Sequence, residues 1–186
     1  MDGREIIVGV TGGIAAFKTA AMVSQLVQAG VGVTFVMTQS AQEFVGKTTF
    51  EALTGRKVVE HLFGEGEFPL GAHIQLAQRA QLLCVAPCTA NFLAKAAHGV
   101  SDDLLSTLYL CFTGPVLLAP AMNCEMWDKP AVQRNVAQLR ADKVHMVDPE
   151  AGWLSCRTVG VGRMASPEAI SQRIFELLDR STAREV

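Results

Sequence analysis

The stretch PVLLAPAMNCEMW, residues 115–127, decides how the rest of the chain is interpreted. The four residues between its two prolines form a short apolar run, which is typical of a buried strand. The segment 125–139 has helical spacing, so Asn123 falls between a strand and a helix. In an open α/β sheet, ligands bind at that edge, beyond the carboxyl ends of the strands. The alternative is an ordinary loop, in which Asn123 closes a turn and Met122 and Met126 fill the core.

Strand-like and helix-like segments alternate on both sides of this stretch. Apolar runs predict strands at 5–11, 31–37, 81–86, 115–119 and 143–147. Helical spacing predicts helices at 14–29, 41–55, 73–79, 90–97, 102–112, 125–139 and 167–180. The alternation predicts an α/β fold: one doubly wound, Rossmann- or flavodoxin-like domain over residues 1–186, with a mostly parallel sheet and helices on both faces.

Composition excludes several classes of partner. A formal net charge of −2 creates no field that would attract nucleic acid or an anionic membrane. No apolar run approaches the ~20 residues that span a bilayer. The five cysteines form no CxxC pair and the first residues have no signal-peptide pattern, so we expect a reduced, cytoplasmic protein. No two histidines have metal-ligand spacing, and no metal site is predicted.

Small and polar residues follow three of the predicted strands. The Gly12-Gly13 pair could bring backbone N–H groups onto a phosphate, or could simply make a tight turn. Thr38 and Ser40 could accept a phosphate or cap a helix, and Thr89-Ala90-Asn91 again stands before a helix. Three such strand ends, without a dinucleotide fingerprint or an acidic residue placed for a ribose, favour a phosphorylated ligand such as a mononucleotide over NAD.

Two further features leave alternatives open. His73 follows Gly71-Ala72, where it is either a packed histidine or a catalytic one. Residues 152–164 are rich in glycine around Cys156 and Arg163, and predict a mobile surface loop over about 151–165 or an exposed connector. A second mobile loop is predicted at 62–71 from its Gly, Pro and Glu content.

Five motifs occur in the order found in one family. They are VTGGIAA at 10–16, GAHI at 71–74, PCTAN at 87–91, PAMN followed by MW at 120–127, and a cysteine followed by GVGRM at 156–164. With these motifs the chain resembles the flavin-dependent cysteine decarboxylases from about residue 6 to residue 170. The resemblance implies the doubly wound fold and a bound FMN.

The resemblance also implies roles for particular residues. His73 is expected to be the active-site base, Asn123 the holder of the substrate carboxylate, and Cys156 the acid in a closing loop. The substrate is expected to contact Asn123, Met126 and Arg163. The FMN contacts are expected from residues that follow the strands: Gly12, Gly13, Ile14, Thr38, Ser40, Thr89, Ala90, Asn91 and Ala121.

The implied reaction is FMN-dependent decarboxylation of 4′-phosphopantothenoylcysteine to 4′-phosphopantetheine in coenzyme A biosynthesis. Flavin oxidises the cysteine side chain to a thioaldehyde, which accepts the electrons left when carbon dioxide departs. Reduction of the resulting enethiol then needs an acid, the role implied for Cys156. Family members form trimers, or dodecamers built from trimers, with the site between subunits, so a homotrimer or homododecamer is expected.

Some residues depart from the family pattern. Arg157 and Thr158 stand where many decarboxylases have glycine and then an acidic residue, and Phe92 replaces a usual threonine. The alternatives within the family are an oxidative peptidyl-cysteine decarboxylase, disfavoured by Cys156, and an inactive flavin-binding regulatory subunit. The second alternative predicts that His73, Asn123 or Cys156 is missing, whereas all three are present. Flavin prenyltransferases share the fold, but have no use for the Asn123 segment together with the Cys156 loop.

Overall fold

A parallel sheet forms the centre of the molecule. The computed structural model describes residues 3–62, 68 and 71–182. The five strands are paired in the order β2-β1-β3-β4-β5, and every pair is parallel. This is the strand order of doubly wound, flavodoxin-like sheets, as the sequence predicted. The strands are β1 (Glu5–Val10), β2 (Gly32–Met37), β3 (Leu82–Cys88), β4 (Val116–Pro120) and β5 (His145–Met146).

The central strands are continuous apolar runs because both of their faces are covered. Along β3, Leu82, Cys84 and Ala86 pack on one side of the sheet, whereas Leu83 and Val85 pack on the other. Successive side chains of a strand point to opposite faces, so a strand covered on both sides needs apolar residues at every position. Each fully buried leucine or valine contributes about 1.5–3 kcal/mol to stability.

The helices divide between the two faces of the sheet. On one face lie α1 (Ala16–Gln28), α2 (Lys47–Thr54) and α8 (Pro167–Thr182). On the other lie α3 (Ala72–Arg79), α4 (Ala90–His98), α5 (Leu104–Cys111) and α7 (Pro130–Ala141). A single turn, α6 (Cys124–Trp127), precedes α7. The predicted arrangement of helices on both faces is confirmed.

Two predicted helices differ substantially from those in the structure, whereas the others agree to within two residues at each end. The helix predicted at 41–55 begins only at Lys47, because Gly46 is extended, and the residues before it include a short 3-10 helix at Gln39–Ala41. The helix predicted at 125–139 is divided into α6 and α7. Pro130 begins α7, and Lys129 before it is extended, as expected for a residue that precedes proline.

The glycine-rich segment is a surface β-hairpin, whose two strands the sequence did not predict. Strands β6 (Glu150–Trp153) and β7 (Val159–Arg163) pair antiparallel. Their side chains are mostly exposed, so backbone pairing replaces the apolar pattern that would have revealed a strand. Movement of this hairpin stays a prediction. Of the other predicted loop, residues 63–67 and 69–70 lie outside the described part of the chain.

Candidate active site

The carboxyl ends of the parallel strands enclose a cavity of about 550 Å³, here named the strand-end cavity. Eight of the nine residues expected to bind FMN line it: Gly12, Gly13, Thr38, Ser40, Thr89, Ala90, Asn91 and Ala121. The parallel topology brings them together, because four separate strand ends meet at one edge of the sheet.

A close backbone approach explains Gly12. A Cβ atom there would lie 2.4 Å from Cβ of Ser40, so only glycine lets the loop after β1 lie against the loop after β2. The amides of Gly12, Gly13 and Ile14 donate to no acceptor among the described residues. These amides precede the first turn of α1, where free N–H groups and the helix dipole favour an anion.

Hydroxyl groups both join the strand-end loops and face the cavity. The Thr11 hydroxyl donates to the Pro87 carbonyl at 2.7 Å and accepts the Thr89 amide at 3.1 Å, which ties the loops after β1 and β3 together. The Thr89 hydroxyl caps α4 by accepting the Phe92 amide. In contrast, the Ser40 side chain makes no hydrogen bond to any residue within the described ranges. It therefore has donor and acceptor capacity left for a ligand.

An ion-pair cluster on the cavity wall was not identified from the sequence. The Lys95 ammonium lies 2.6 Å from Asp102 and 2.7 Å from Asp103. Burial opposes the charge on Lys95, but the hydrogen bonds to the two carboxylates outweigh it and raise the pKa of Lys95. Because Lys95 is already paired with two carboxylates, a phosphate in this cavity would be held by N–H and hydroxyl groups rather than by Lys95.

Asn123 has two partners, one at each end of its amide. Its Oδ1 accepts the backbone N–H of Glu125 at 2.7 Å and thereby caps α6. Its Nδ2 donates to Sγ of Cys156 at 3.0 Å. The turn-closing role and the site role considered for Asn123 are thus geometrically compatible. The cap holds Oδ1, which leaves Nδ2 directed at the thiol.

Cys156 is an exposed thiol beside polar groups. Its Sγ lies 3.0 Å from Oγ1 of Thr158, in addition to the contact with Asn123. Hydrogen bonds with the hydroxyl and then the backbone of Thr158, and after them that with Asn123, lower the pKa of the Cys156 thiol. Burial alone raises the pKa of Cys84 to about 12. Of these two thiols, Cys156 is the one suited to proton transfer near neutral pH.

Two glycines let the hairpin lie directly on the Asn123 segment. The Met122 amide donates to the Gly162 carbonyl at 2.9 Å. A Cβ atom on Gly162, whose φ is +151°, would lie 2.3 Å from the Met122 carbonyl oxygen, and one on Gly160 would lie 2.7 Å from Cβ of Cys124. The GVG sequence at 160–162 is therefore required for the hairpin to reach this position.

The hairpin encloses a second cavity, of about 230 Å³, between itself and the start of α1. We name it the hairpin cavity. Asn123, Cys156 and Arg163 line it, as does Ile14, the one expected FMN contact outside the strand-end cavity. Gly13, Ala121 and Met122 line both cavities, so the two adjoin. Met126 lines the strand-end cavity and is 46% exposed there, rather than filling the core.

His73 does not join the other site residues within this chain. It lies on α3, on the opposite face of the sheet from α1, and lines neither cavity. Its Nδ1 is buried and has no hydrogen-bond partner within the described ranges. The structure thus brings Asn123 and Cys156 into contact but leaves His73 apart.

The departures from the family pattern have structural consequences. Phe92 lines the strand-end cavity but is only 1% exposed, and its ring packs edge-on against Tyr109. Arg157 has a left-handed φ of +65° in the hairpin turn. Thr158, in place of an acidic residue, contacts the thiol through a neutral hydroxyl.

Neither a metal site nor a membrane-spanning helix is found among the described residues. No group of three His, Cys, Asp or Glu side chains there could hold a metal ion. Among the helices in those ranges, none is both long and apolar enough to cross a bilayer.

The chain belongs to the flavoprotein family, because the family model described as "Flavoprotein" matches residues 1–179. A similar relative is the coenzyme A biosynthesis bifunctional protein CoaBC of Bacillus subtilis (strain 168), which is 44% identical over 185 residues. The match covers 100% of this chain but 45% of that relative. The chain thus spans less than half the length of this curated relative.

Solved structures agree with this assignment. The FMN-dependent cysteine decarboxylase SpaF is 35% identical with a TM-score of 0.80, and the match covers 95% of this chain and 98% of SpaF. A PPC decarboxylase mutant complexed with pantothenoylaminoethenethiol is 26% identical with a TM-score of 0.83, over 95% of this chain and 98% of that one. The fold is thus that of flavin-dependent cysteine decarboxylases.

Proposed function

We propose that this flavoprotein is an FMN-dependent decarboxylase that converts 4′-phosphopantothenoylcysteine to 4′-phosphopantetheine in coenzyme A biosynthesis. The similarity to CoaBC and to a PPC decarboxylase supports the substrate. One observation carries the proposal: the amide of Asn123 and the thiol of Cys156 are 3.0 Å apart in the hairpin cavity, which adjoins the strand-end cavity. A group that can donate a hydrogen bond to a carboxylate then lies next to a group that can donate a proton, as decarboxylation followed by protonation requires.

The strand-end cavity fits FMN. Its volume is about 550 Å³, and free amides before α1 and the Ser40 hydroxyl are available for a phosphate. Gly12, Gly13, Thr38, Ser40, Thr89, Ala90, Asn91 and Ala121 would hold the cofactor there, with Ile14 contributing its amide. Bound FMN supplies a reversible two-electron oxidation of the substrate cysteine side chain.

Asn123 holds the substrate carboxylate. An amide Nδ2 donates a hydrogen bond without adding a full positive charge, which would stabilise the carboxylate and oppose its loss. Because Oδ1 is engaged by the Glu125 amide, Nδ2 is the end presented to a ligand. The helix cap therefore orients the group that binds substrate.

Cys156 protonates the enethiolate carbon after carbon dioxide has left. Its pKa is lowered by Thr158 and Asn123, which brings the thiol closer to neutral pH, where a general acid is most effective. Cys156 therefore favours the complete reaction over the oxidative one.

His73 acts as the base in a neighbouring subunit. Its separation from Asn123 and Cys156 within one chain supports a homotrimer, or a dodecamer of trimers, with sites between subunits. Exposed apolar side chains close to the site offer surface for such contacts, among them Phe17 at 60% and Val159 at 73% exposure. Each site would then take His73 from one copy and Cys156 from another.

Mixing two inactive variants tests this arrangement. His73→Asn and Cys156→Ser proteins are each expected to be inactive, and subunit exchange between them should restore activity in about one site in four. Each variant mixed with itself is the control. If exchanged mixtures regain nothing, His73 and Cys156 act within one subunit and the shared site is wrong.

The mass of the product tests the reaction itself. Purified, FMN-loaded protein is given 4′-phosphopantothenoylcysteine, and loss of carbon dioxide alone is expected. Loss of carbon dioxide plus two hydrogens would move the protein to the oxidative class. No product from a yellow protein would favour a flavin-binding regulatory subunit.

The remaining parts of the proposal concern the setting. The matched region supports a single flavoprotein domain over residues 1–186. All five cysteines are free thiols, which supports the reduced cytoplasm as the compartment. The substrate is a small molecule, and neither nucleic acid nor a membrane is proposed as a partner.

A further inference from the structure

Two thiols from different segments lie close to one hydroxyl group. Sγ of Cys156, in the hairpin turn, lies 3.0 Å from Oγ1 of Thr158, and Sγ of Cys124, in α6, lies 3.8 Å from the same oxygen. The two sulfur atoms can thus be no farther apart than these two distances together. Both cysteines are free thiols. The fold therefore places a pair of reduced thiols beside the proposed site of protonation.

The packing of α6 on the hairpin keeps this pair together. A Cβ atom on Gly160 would lie 2.7 Å from Cβ of Cys124 and 3.0 Å from its Sγ, so the Cys124 side chain lies directly on β7. Cys124 follows Asn123, whose Nδ2 donates to the Cys156 sulfur. The same contacts that bring Cys156 to Asn123 therefore bring it close to Cys124.

The two thiols differ in exposure, as the reactive and resolving members of a redox pair often do. Cys156 is exposed, whereas Cys124 is half-buried. Hydrogen bonds, first that with the Thr158 hydroxyl, lower the pKa of the Cys156 thiol, which favours the thiolate that reacts with peroxide. Burial raises the pKa values of the other three cysteines, so their thiolates are disfavoured. Cys156 is thus the thiol expected to be oxidised first.

We propose that Cys156 and Cys124 form a reversible disulfide when the protein meets hydrogen peroxide. The Cys156 thiolate attacks one oxygen of the peroxide and becomes a sulfenic acid, while hydroxide leaves. The Cys124 thiol then attacks the sulfur of Cys156, so that an S–S bond forms and the sulfenic oxygen leaves as water. The two sulfur atoms together lose two electrons, which the peroxide gains. Because a disulfide needs sulfur atoms about 2.05 Å apart, the exposed turn must move toward α6.

The disulfide would stop turnover by removing the proposed acid. Cys156 would have no proton to donate, and the hairpin would be fixed covalently to α6. This consequence rests on the proposed function, whereas formation of the disulfide does not. Small thiols of a reducing compartment would restore both cysteines, as they do for other transient disulfides there. The pair would therefore make decarboxylation sensitive to peroxide.

The mass of the oxidised protein tests the linkage without turnover. FMN-loaded protein treated with hydrogen peroxide should lose two hydrogen atoms, with one peptide pair joined through Cys124 and Cys156 within a single chain. Cys124→Ser should instead gain two or three oxygen atoms at Cys156. Cys111→Ser is the matched control and should form the same linkage, since Sγ of Cys111 lies against the carbonyls of His73 and Leu108. Gain of oxygen by the unmodified protein, or a linkage found only between two chains, would overturn the proposal.

Turnover of 4′-phosphopantothenoylcysteine tests the consequence. The linked protein should lose about 10²-fold or more of its turnover, the contribution of a general acid, and recover it with dithiothreitol. Cys124→Ser should lose turnover under the same treatment without recovery, because thiols do not reduce a sulfinic acid. Full turnover of the linked protein would overturn the switch. Absence of turnover in the reduced protein would instead refute the proposed function, while the linkage seen by mass would stand.

Discussion

The strand-end cavity and the hairpin cavity adjoin, but they are built by different means. The first is walled by loops that leave buried parallel strands and are joined through Thr11. The second is closed by an exposed hairpin, held by the Gly162 hydrogen bond to Met122 and the side-chain contact between Cys156 and Asn123. A wall anchored in buried strands favours binding of a cofactor, whereas a wall made by an exposed hairpin favours entry and exit of a substrate. A substitution in one cavity should therefore leave the other cavity largely unaffected.

Replacement of the hairpin thiol should have the largest effect on turnover while leaving the strand-end cavity unchanged. Cys156→Ser should lower formation of 4′-phosphopantetheine by about 10²–10⁴-fold, the contribution of a general acid, with enethiol as the product. FMN content should stay the same, since Cys156 does not line the strand-end cavity. Mass spectrometry and flavin absorbance measure both. Cys124→Ser is the control, because Sγ of Cys124 lies farther from Thr158, at 3.8 Å. Near-normal turnover in Cys156→Ser would refute the acid role of Cys156.

A methyl group at Gly162 should displace the hairpin. The Cβ atom would lie 2.3 Å from the Met122 carbonyl oxygen, and overpacking of this kind costs about 1–3 kcal/mol. Turnover of Gly162→Ala should fall about tenfold to hundredfold, with FMN retained and faster hydrogen exchange at the Met122 amide. In Gly46→Ala the new Cβ meets no atom within 4 Å, so no such change is expected. Unchanged exchange at Met122 would contradict the proposed contact.

Gly12→Ala makes the complementary test on the strand-end cavity. The free energy of unfolding of the flavin-free protein should fall by about 1–2 kcal/mol, because the loops after β1 and β2 must separate. Denaturant titration measures this. Gly13→Ala is the matched control, since its Cβ would meet no atom closer than 3.6 Å. Equal losses in the two variants would mean that the Gly12 approach to Ser40 is not the cause.

The smallest effect is expected at Thr158. Its hydrogen bond lowers the pKa of the Cys156 thiol, so Thr158→Val should raise that pKa and shift the pH dependence of thiol alkylation to higher pH. At neutral pH less thiolate is present and alkylation is slower. Thr158→Ser keeps a hydroxyl and should keep the original curve. An unshifted curve in the valine variant would show that Thr158 does not tune the thiol.

The parallel sheet and its strand ends could be predicted from the sequence for a physical reason. Strands buried on both faces need apolar residues throughout, and Gly12-Gly13 or Thr89 marks the point where burial stops. The hairpin has no such pattern, because pairing between exposed strands and docking on Met122 hold it. The glycines of the hairpin could be recognised in the sequence, but the need for glycine there arises from the segment that they contact.

The relative positions of residues that are far apart in the sequence could not be predicted from the local pattern. Lys18 looks like an ordinary helix residue, because Arg163, which lines the hairpin cavity with it, comes from the other end of the chain. The separation of His73 from Asn123 likewise depends on which face of the sheet α3 covers. The capping role of Asn123, in contrast, was open to prediction, since asparagine often precedes a helix.

The two ends of the Asn123 amide have different roles: Oδ1 stabilises the fold as a helix cap, and Nδ2 serves the proposed chemistry. Deamidation would turn it into an aspartate, whose oxygen can still accept the Glu125 amide and cap α6. The donor to Cys156 would be lost, and a negative charge would stand where the substrate carboxylate is proposed to bind. The cap of α6 would be kept, whereas the hairpin would lose one of its contacts with the Asn123 segment. Ageing at this position would therefore be detected first by mass and by turnover.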